Sequence, residues 1–504
     1  MNRLAFGNTS LLFLISALLC LALADIAVTT LNPWGELVRL VRGILRPDLL
    51  SIEAWSVVWT VAFAVIGVSI GATAGLLLAI AFPHFAAVRA SALVLRSIHE
   101  LFWALLLIQV FGLGPMTGVL AIALPYAGIF AKVFAEIIEE ADLSAEKVLP
   151  SGTRAASAFV FARLPVVAER FKTYTLYRLE CGLRSTLVLG FVGLPTVGFH
   201  LEGYFKQGKY AEAAALLATF YVLIGTRRLW ARSATVPILL VASLLLLPEA
   251  TGGGSVLANF IRFVTHDIVP APLRGGDLGN PVTWEAFAGW LQSIVSKQVL
   301  PGTWNTIVLA QIALVGMGLL ALALFPLVSR QFMGALGQPA GRFLLVIVRS
   351  TPEYMLAYVL LQLLGPSMLP AIIALALHNG AIVGYLMGRH ADALDYRPDA
   401  PKGLNLYAYD TTPRLYGQFL AYNLYRWEII VRESAIFGIL GVATLGYHVD
   451  AAISELRFDV AVVLILTTVG LCALIDILSR RLRRALRIST LATRLADAPA
   501  TQEV

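Results

Sequence analysis

Charge is scarce in this chain of 504 residues: Asp, Glu, Lys and Arg make up 14% of it, against 58% hydrophobic residues. A soluble protein of that length needs far more polar surface, which argues against a soluble globular enzyme. Cysteine is nearly missing too. Cys20, Cys181 and Cys472 all fall in apolar runs with no ligand-spaced pair, so neither a disulfide framework nor a cysteine metal site is expected. There is no Gly-x4-Gly-Lys-Ser/Thr nucleotide loop, no His-Glu-x-x-His and no nucleophile–base constellation, so nothing marks a reaction centre. No basic soluble domain exists to bind nucleic acid, because the net charge of +7 comes mostly from a few arginine clusters.

Long apolar runs fill the chain instead. A bilayer-spanning helix needs roughly 20 mostly apolar residues. Twelve such stretches lie near 9–30, 55–82, 90–112, 116–138, 173–195, 211–227, 234–249, 303–326, 342–364, 367–388, 415–442 and 459–478. The expected fold is therefore an all-α polytopic membrane protein of about twelve spans. Arg227, Arg228 and Arg232 follow the sixth span, and Arg480, Arg481, Arg483, Arg484 and Arg487 follow the twelfth. Both clusters belong in the cytoplasm, which places both termini there. Arg3, the first apolar run and Ala22-Leu23-Ala24 also have the form of a secretory signal. A retained first helix is expected, because 234–249 is its match in the second half. Residues 485–504 read as a polar tail.

The chain is written twice. Arg96-Ser97-x-x-Glu100 recurs as Arg349-Ser350-x-x-Glu353 at an offset of 253 residues, and Gln109 maps onto Gln362. Tyr177-Arg178-x-Glu180-x3-Arg184 recurs as Tyr425-Arg426-x-Glu428-x3-Arg432 at an offset of 248. Gly190, Gly193, Gly198 and His200 then land on Gly438, Gly441, Gly446 and His448 without a gap. The halves are 1–233 and 234–484. Each holds six spans, so the repeats are parallel, and parallel repeats related by an axis along the membrane normal enclose a pathway in one recurrent transporter plan.

Charges inside apolar spans need a reason. Tyr177, Glu180 and Arg184 share one helical face. Counting from Lys172 at about 1.5 Å per residue, Arg184 lies about 18 Å into a hydrocarbon layer of roughly 30 Å. An unpaired charge there costs about 3 kcal/mol or more, so it must face the bundle interior or a watery path. Two readings are open. Glu180 and Arg184, with Glu428 and Arg432, pair at i,i+4 and lock helices together; or Arg184 and Arg432 offer guanidinium forks to a passing oxyanion, while the glutamates keep its binding weak. Arg96 with Glu100, and Arg349 with Glu353, stand in the weaker order for a helical pair, which suggests an interhelical contact or a gate. His200 and His448 fall on the outer side, near a mouth or docking point.

The loop near 139–172 contains EKVLPSGTRAASAFVFARLP, with Glu146, Gly152 and Leu164-Pro165 at fixed spacing. Its physical logic is a short helix, a glycine turn and a second helix started by proline. The counterpart near 389–414 keeps Pro413 but has Leu394 and Ala400 in place of Glu146 and Gly152.

This spacing resembles the cytoplasmic coupling loop of ABC importer permeases. With Tyr-Arg-x-Glu-x3-Arg-x-Ser, the glycine-rich stretch that follows and Ile475-Asp476-x-x-Ser479-Arg480 added, the chain resembles the phosphonate/phosphite-type permeases over about 53–232 and 296–484. It departs from their pattern at Leu194-Pro195 and Val442-Ala443, where small residues are usual. The resemblance implies a type I importer fold with both permease halves in one chain and a substrate pathway between them. It implies two separate ABC ATPase subunits carrying ATP and Mg, an extracytoplasmic binding protein, and no cofactor on this chain. The cargo would be phosphonate, phosphite or a phosphate-like anion, and the site the bacterial inner membrane. An ion-coupled secondary transporter of two parallel six-helix repeats is the competing reading, and that class has no need of the Glu146–Pro165 loop.

Overall fold

The computed structural model describes all residues except 1, 142–143, 145–148, 151, 250–254, 487 and 489–504. In the first half the helices are α1 (Asn2–Leu23), α2 (Pro33–Leu45), α3 (Ala54–Ala81), α4 (Ala86–Ser97), α5 (Glu100–Phe111), α6 (Pro115–Glu139), α7 (Leu164–Gly190), α8 (Val197–Lys206) and α9 (Tyr210–Gly225). In the second half they are α10 (Val236–Leu245), α11 (Pro281–Ile294), α12 (Leu300–Val328), α13 (Arg330–Ser350), α14 (Glu353–Leu364), α15 (Met368–Asp392), α16 (Thr412–Glu433), α17 (Leu445–Ser454) and α18 (Phe458–Ala485). The chain is an all-α polytopic membrane protein. Among the described residues, six helical segments are long and apolar enough to cross a bilayer, or up to eight if each bent pair makes one span.

Several spans differ from the straight helices expected. The stretch at 90–112 breaks between α4 and α5 with a bend of 97°, and 342–364 breaks between α13 and α14 with a bend of 89°. Both α4 and α5 have 12 residues, about 18 Å each, so neither crosses roughly 30 Å of hydrocarbon alone. The runs at 211–227 and 234–249 form helices of 16 and 10 residues. In the other direction, α11 and α12 join into one helical path, Pro281–Val328, of 48 residues.

Two compact units form. One comprises residues 43–260; the other comprises 1–42 with 261–489. The repeat divides the chain at 233/234, so α1 and α10 each belong to the unit that the other half builds: α10 packs on α3, and α1 packs on α12. Gln311 of α12 donates to the Ser16 hydroxyl of α1 at 2.7 Å, and the Thr29 amide donates to the Leu364 carbonyl at 2.9 Å.

The largest contact in each unit is a helix pair, α3 with α6 and α12 with α15. Helices in lipid gain little from the hydrophobic effect, so close approach along small residues holds them together. On α3 these are Gly67, Gly71 and Gly75, where a Cβ would run into Ile122, Tyr126 and Phe130 of α6. In the other unit the stripe changes sides: Gly380, Gly384 and Gly388 belong to α15 and face Leu320, Leu324 and Val328 of α12.

The repeated glycine stretch is a chain crossing. A Cβ on Gly198 would strike the Leu187 carbonyl, and one on Gly446 the Ala435 carbonyl. The crossing is clamped from α3 and α12 in the same way: the Thr60 hydroxyl accepts from the Val197 amide and the Thr306 hydroxyl from the Leu445 amide, both at 3.0 Å. Gly446→Ala is expected to destabilise the protein by roughly 1–3 kcal/mol or more through overpacking against backbone. Gly470→Ala on α18, where a Cβ meets nothing within 4 Å, is the control. Thermal unfolding in detergent checks both, and equal melting temperatures would contradict the crossing.

Candidate functional site: the broken helices and their buried charges

Arg-Ser-x-x-Glu spans a helix break in both halves. Arg96 lies in the last turn of α4 and Glu100 opens α5; Arg349 lies in the last turn of α13 and Glu353 opens α14. The two members of each pair therefore stand on different helices. A cation at a helix C-terminus and a carboxylate at an N-terminus are each favoured by the helix dipole, so the motif stabilises both ends of the break. Arg349 also lies over the Tyr385 ring, 4.3 Å from its centroid.

The two glutamates are gathered into polar clusters. In the first half the Ser185 hydroxyl of α7 donates to Glu100 at 3.1 Å, and the Tyr126 hydroxyl of α6 lies 3.3 Å from Ser185. His99 Nε2 stands 3.6 Å from the other Glu100 oxygen. In the second half His378 of α15 stands 3.7 Å from Glu353. Beside it, Arg426 of α16 donates to Asn379 at 3.0 Å, and the Asn379 amide donates to Glu433 at 3.1 Å. Tyr126 and Asn379 are equivalent by the 253-residue offset, and Ser185 and Glu433 by the 248-residue offset. The motif reading passed over His99, Tyr126, Ser185, His378, Asn379 and Glu433. A signal for them exists in the offset: His99 falls on Pro352, and Pro125 falls on His378.

The charges of YRLECGLRS sort differently from the expected i,i+4 pairing. Glu180 faces Arg227, which lies just beyond the end of α9, at 3.6 Å, and Arg227 also donates to the Leu176 carbonyl at 2.8 Å. Residues 176–180 are thus at the level where α9 ends. Arg184 is one turn, about 6 Å, further along. Arg184 donates to the Cys181 sulfur at 3.2 Å. Arg178 donates to the Tyr174 hydroxyl at 2.8 Å and lies over the Tyr174 and Tyr177 rings, while Tyr177 itself is 39% exposed. On α16, Glu428 is buried one turn before Arg432, and Tyr425 precedes Arg426 on the same helix.

The loops ahead of these helices share one construction. Residues 159–163 and 407–411 form π turns, in which Leu164 N–H bonds the Phe159 carbonyl and Thr412 N–H the Tyr407 carbonyl. Pro165 and Pro413 do not start helices afresh. The wider turn lets the helical path run through a residue that has no N–H to give. Gly152 has φ +96° with open space around it, and Gly403 turns the second loop with φ +63°. The second loop thus has its left-handed glycine at 403, three positions after Ala400, while Glu146 lies outside the described residues. On α8, His200 pairs with Glu53 at 2.7 Å. Burial lowers the His448 pKa from its ordinary value and so favours the neutral ring.

Polytopic helices and a twofold sequence repeat suit a membrane transport subunit, and the comparisons agree. The chain is 26% identical over 476 residues, 88% of its length, to the phosphate-import permease protein PhnE of Mycolicibacterium smegmatis, of which it covers 86%. It is 29% identical over 231 residues to the phosphite transport system permease protein PtxC of Stutzerimonas stutzeri, covering 84% of that protein with 43% of this chain. A putative cryptic phosphonate transport system permease protein, PhnE2 of Escherichia coli, is 25% identical over 119 residues, 98% of its own length and 22% of this chain. The resemblance to the phosphonate/phosphite permeases thus extends to nearly the whole chain, and the relatives are transport subunits rather than enzymes. No family model matches the chain, and no solved structure matches it.

If Glu180 is paired with Arg227, Arg227→Met should destabilise the protein by about 1–3 kcal/mol, between the scales of an exposed and a buried pair, since both side chains are partly exposed. Adding Glu180→Gln should recover much of that loss. A double-mutant cycle on thermal unfolding measures the coupling, and a larger coupling of Glu180 with Arg184 would restore the i,i+4 pairing.

Proposed function

We propose that the chain is the permease subunit of an ABC importer for phosphonate, phosphite or a phosphate-like anion in the bacterial inner membrane, with both termini in the cytoplasm. It would supply both permease halves, work with two separate ATPase subunits that bind ATP and Mg, and receive its cargo from an extracytoplasmic binding protein. The observation that carries this reading is one of lengths. The chain aligns along 88% of itself with a phosphate-import permease, while 43% of it covers most of a phosphite permease. One relative aligns along most of the chain and the other along less than half of it, as expected if the chain joins two permease halves.

In this reading Arg184 and Arg432 attract the anion and Arg178 and Arg426 shape the path beside them, with Tyr177 and Tyr425 alongside. Guanidinium donors match the geometry of a phosphorus oxyanion. Glu180 and Glu428 keep the attraction weak enough for release. The loops carrying Gly152, Leu164 and Pro165, and Gly403 and Pro413, dock on the ATPase. Their shared π turn and glycine turn favour coupling through both.

Uptake of labelled phosphate, phosphite and a phosphonate by cells carrying the chain, its ATPase and its binding protein tests the assignment. Arg184→Gln and Arg432→Gln should each lower uptake about tenfold or more, since a hydrogen bond to a charged group contributes about 1.5–3 kcal/mol. ATPase co-purification should be unchanged. Mass measurement of the intact complex should find one chain for two ATPase subunits. Uptake that persists without the ATPase would favour the ion-coupled transporter.

A further inference from the structure

Helix α2 lies between the first two apolar runs and is not built to cross a bilayer. Its 13 residues reach about 20 Å, short of roughly 30 Å of hydrocarbon, and they include Glu36, Arg39 and Arg42. On a helix the sequence PWGELVRLVRGIL sorts into three stripes. Trp34, Val38, Val41 and Leu45 form one. Arg39, Arg42 and Arg46, the last just past the helix end, form a second. Glu36 and Gly43 mark the third, which faces protein: Gly43 is buried, and a Cβ there would run into Tyr210.

The apolar stripe is bare. Its four side chains are between 44% and 75% exposed, and Leu31 before the helix and Leu50 after it are exposed almost fully. This surface continues from α1, whose Leu18, Leu19 and Leu23 are exposed as the lipid-facing side of a span would be. The ends of α2 are fixed where other apolar helices end or begin. Before it, the Thr29 amide bonds the Leu364 carbonyl and the Met368 amide the Asp25 carbonyl, both at 2.9 Å, where α14 gives way to α15. After it, the Asp48 amide bonds the Ala211 carbonyl at 3.1 Å, in the first turn of α9. These are levels at which helices enter or leave hydrocarbon.

We propose that α2 is a lipid-binding helix lying in the membrane surface, with its Trp34 stripe among acyl chains and Arg42 and Arg46 on the phosphates of acidic phospholipids. Amphipathic helices bind anionic bilayers through buried apolar area and charge together. Tryptophan favours the headgroup level, and a guanidinium fits a phosphate. Arg39 bonds Glu36 at 2.6 Å, so the phosphate contacts are assigned to Arg42 and Arg46, which are exposed. A single apolar row with a basic row beside it matches a bilayer, where acyl chains and anionic headgroups lie in adjacent layers. The second half shares the opening but not the basic row. Asn32-Pro33 recurs as Asn280-Pro281 at an offset of 248 residues, and each Asn side chain accepts a backbone amide, from Gly35 at 2.9 Å and from Val282 at 3.0 Å. There Phe287, Trp290 and Ile294 take the places of Arg39, Arg42 and Arg46.

Two measurements on the full-length chain test this, and neither needs cargo or an ATPase, so they stand or fall separately from the proposed function. In the first, Val38→Cys or Arg42→Cys carries a spin label in a Cys20→Ala, Cys181→Ala background, Cys472 being buried. The chain is placed in nanodiscs of phosphatidylcholine with phosphatidylglycerol. The label at position 38 should be reached by dissolved oxygen and lose contact with a water-soluble nickel chelate; the label at 42 should show the reverse. Equal access at the two sites would overturn the proposal, as would shielding of position 38 from both reagents by a protein such as a second copy. In the second, phosphatidylglycerol is titrated into the detergent-purified chain and the retained lipid is counted by native mass spectrometry. Arg42→Gln and Arg46→Gln should each weaken retention about fivefold, the scale of one basic residue at an anionic surface, while Lys297→Gln should not. Unchanged retention in the double variant, or displacement of the lipid by inorganic phosphate, would reject the headgroup site.

Discussion

Hydrocarbon offers a backbone no hydrogen bond, and this constraint governs each irregularity in the chain. A helix broken at Ser97 or Ser350 leaves one set of carbonyls and one set of amides without intrahelical partners. The arginine before each break and the glutamate after it compensate as charges. His99 accepts the Leu101 amide, and His378 stands against the Thr351 carbonyl. Prolines are handled on the same principle. Before Leu164-Pro165, Leu300-Pro301 and Thr412-Pro413 the helix widens into a π turn, so the missing amide leaves the path unbroken.

Duplication made these solutions comparable, and they turn out to be conserved as contacts rather than as residues. The glycine stripe lies on α3 in one unit and on the partner helix α15 in the other. The imidazole on the break glutamate comes from position 99 in one half and from α15 in the other. The turn glycine is Gly152 in one loop and Gly403 in the next. In each case the geometry needs one small residue, or one ring, or one left-handed turn, and either side can provide it.

That explains what the sequence disclosed. Its repeated motifs were legible because they serve tasks with few solutions: only glycine permits the crossing at Gly198 and Gly446, and a cation before a carboxylate is the order that suits both ends of a break. The break itself was hidden, since 90–112 and 342–364 read as ordinary apolar runs and hydropathy averages over a bend. The partner of Glu180 was hidden too. Spacing proposes neighbours on the same helix, whereas Arg227 comes from beyond the end of another. Reciprocal substitutions such as His99/Pro352 and Pro125/His378 were present in the alignment of the halves, but a search for identities discards them.

A duplicated chain is also free to let its halves diverge. Two identical subunits would have to place the same residues at both breaks. With the halves in one chain, Tyr126 and Ser185 bring hydroxyls to the first cluster, while Asn379 and Glu433 stand at the equivalent positions of the second, bridged to Arg426. The helix–break–helix geometry tolerates both, because it asks for hydrogen bonds to the glutamate and the exposed backbone and is indifferent to which groups make them. Symmetry is thereby preserved in the backbone and given up in the electrostatics.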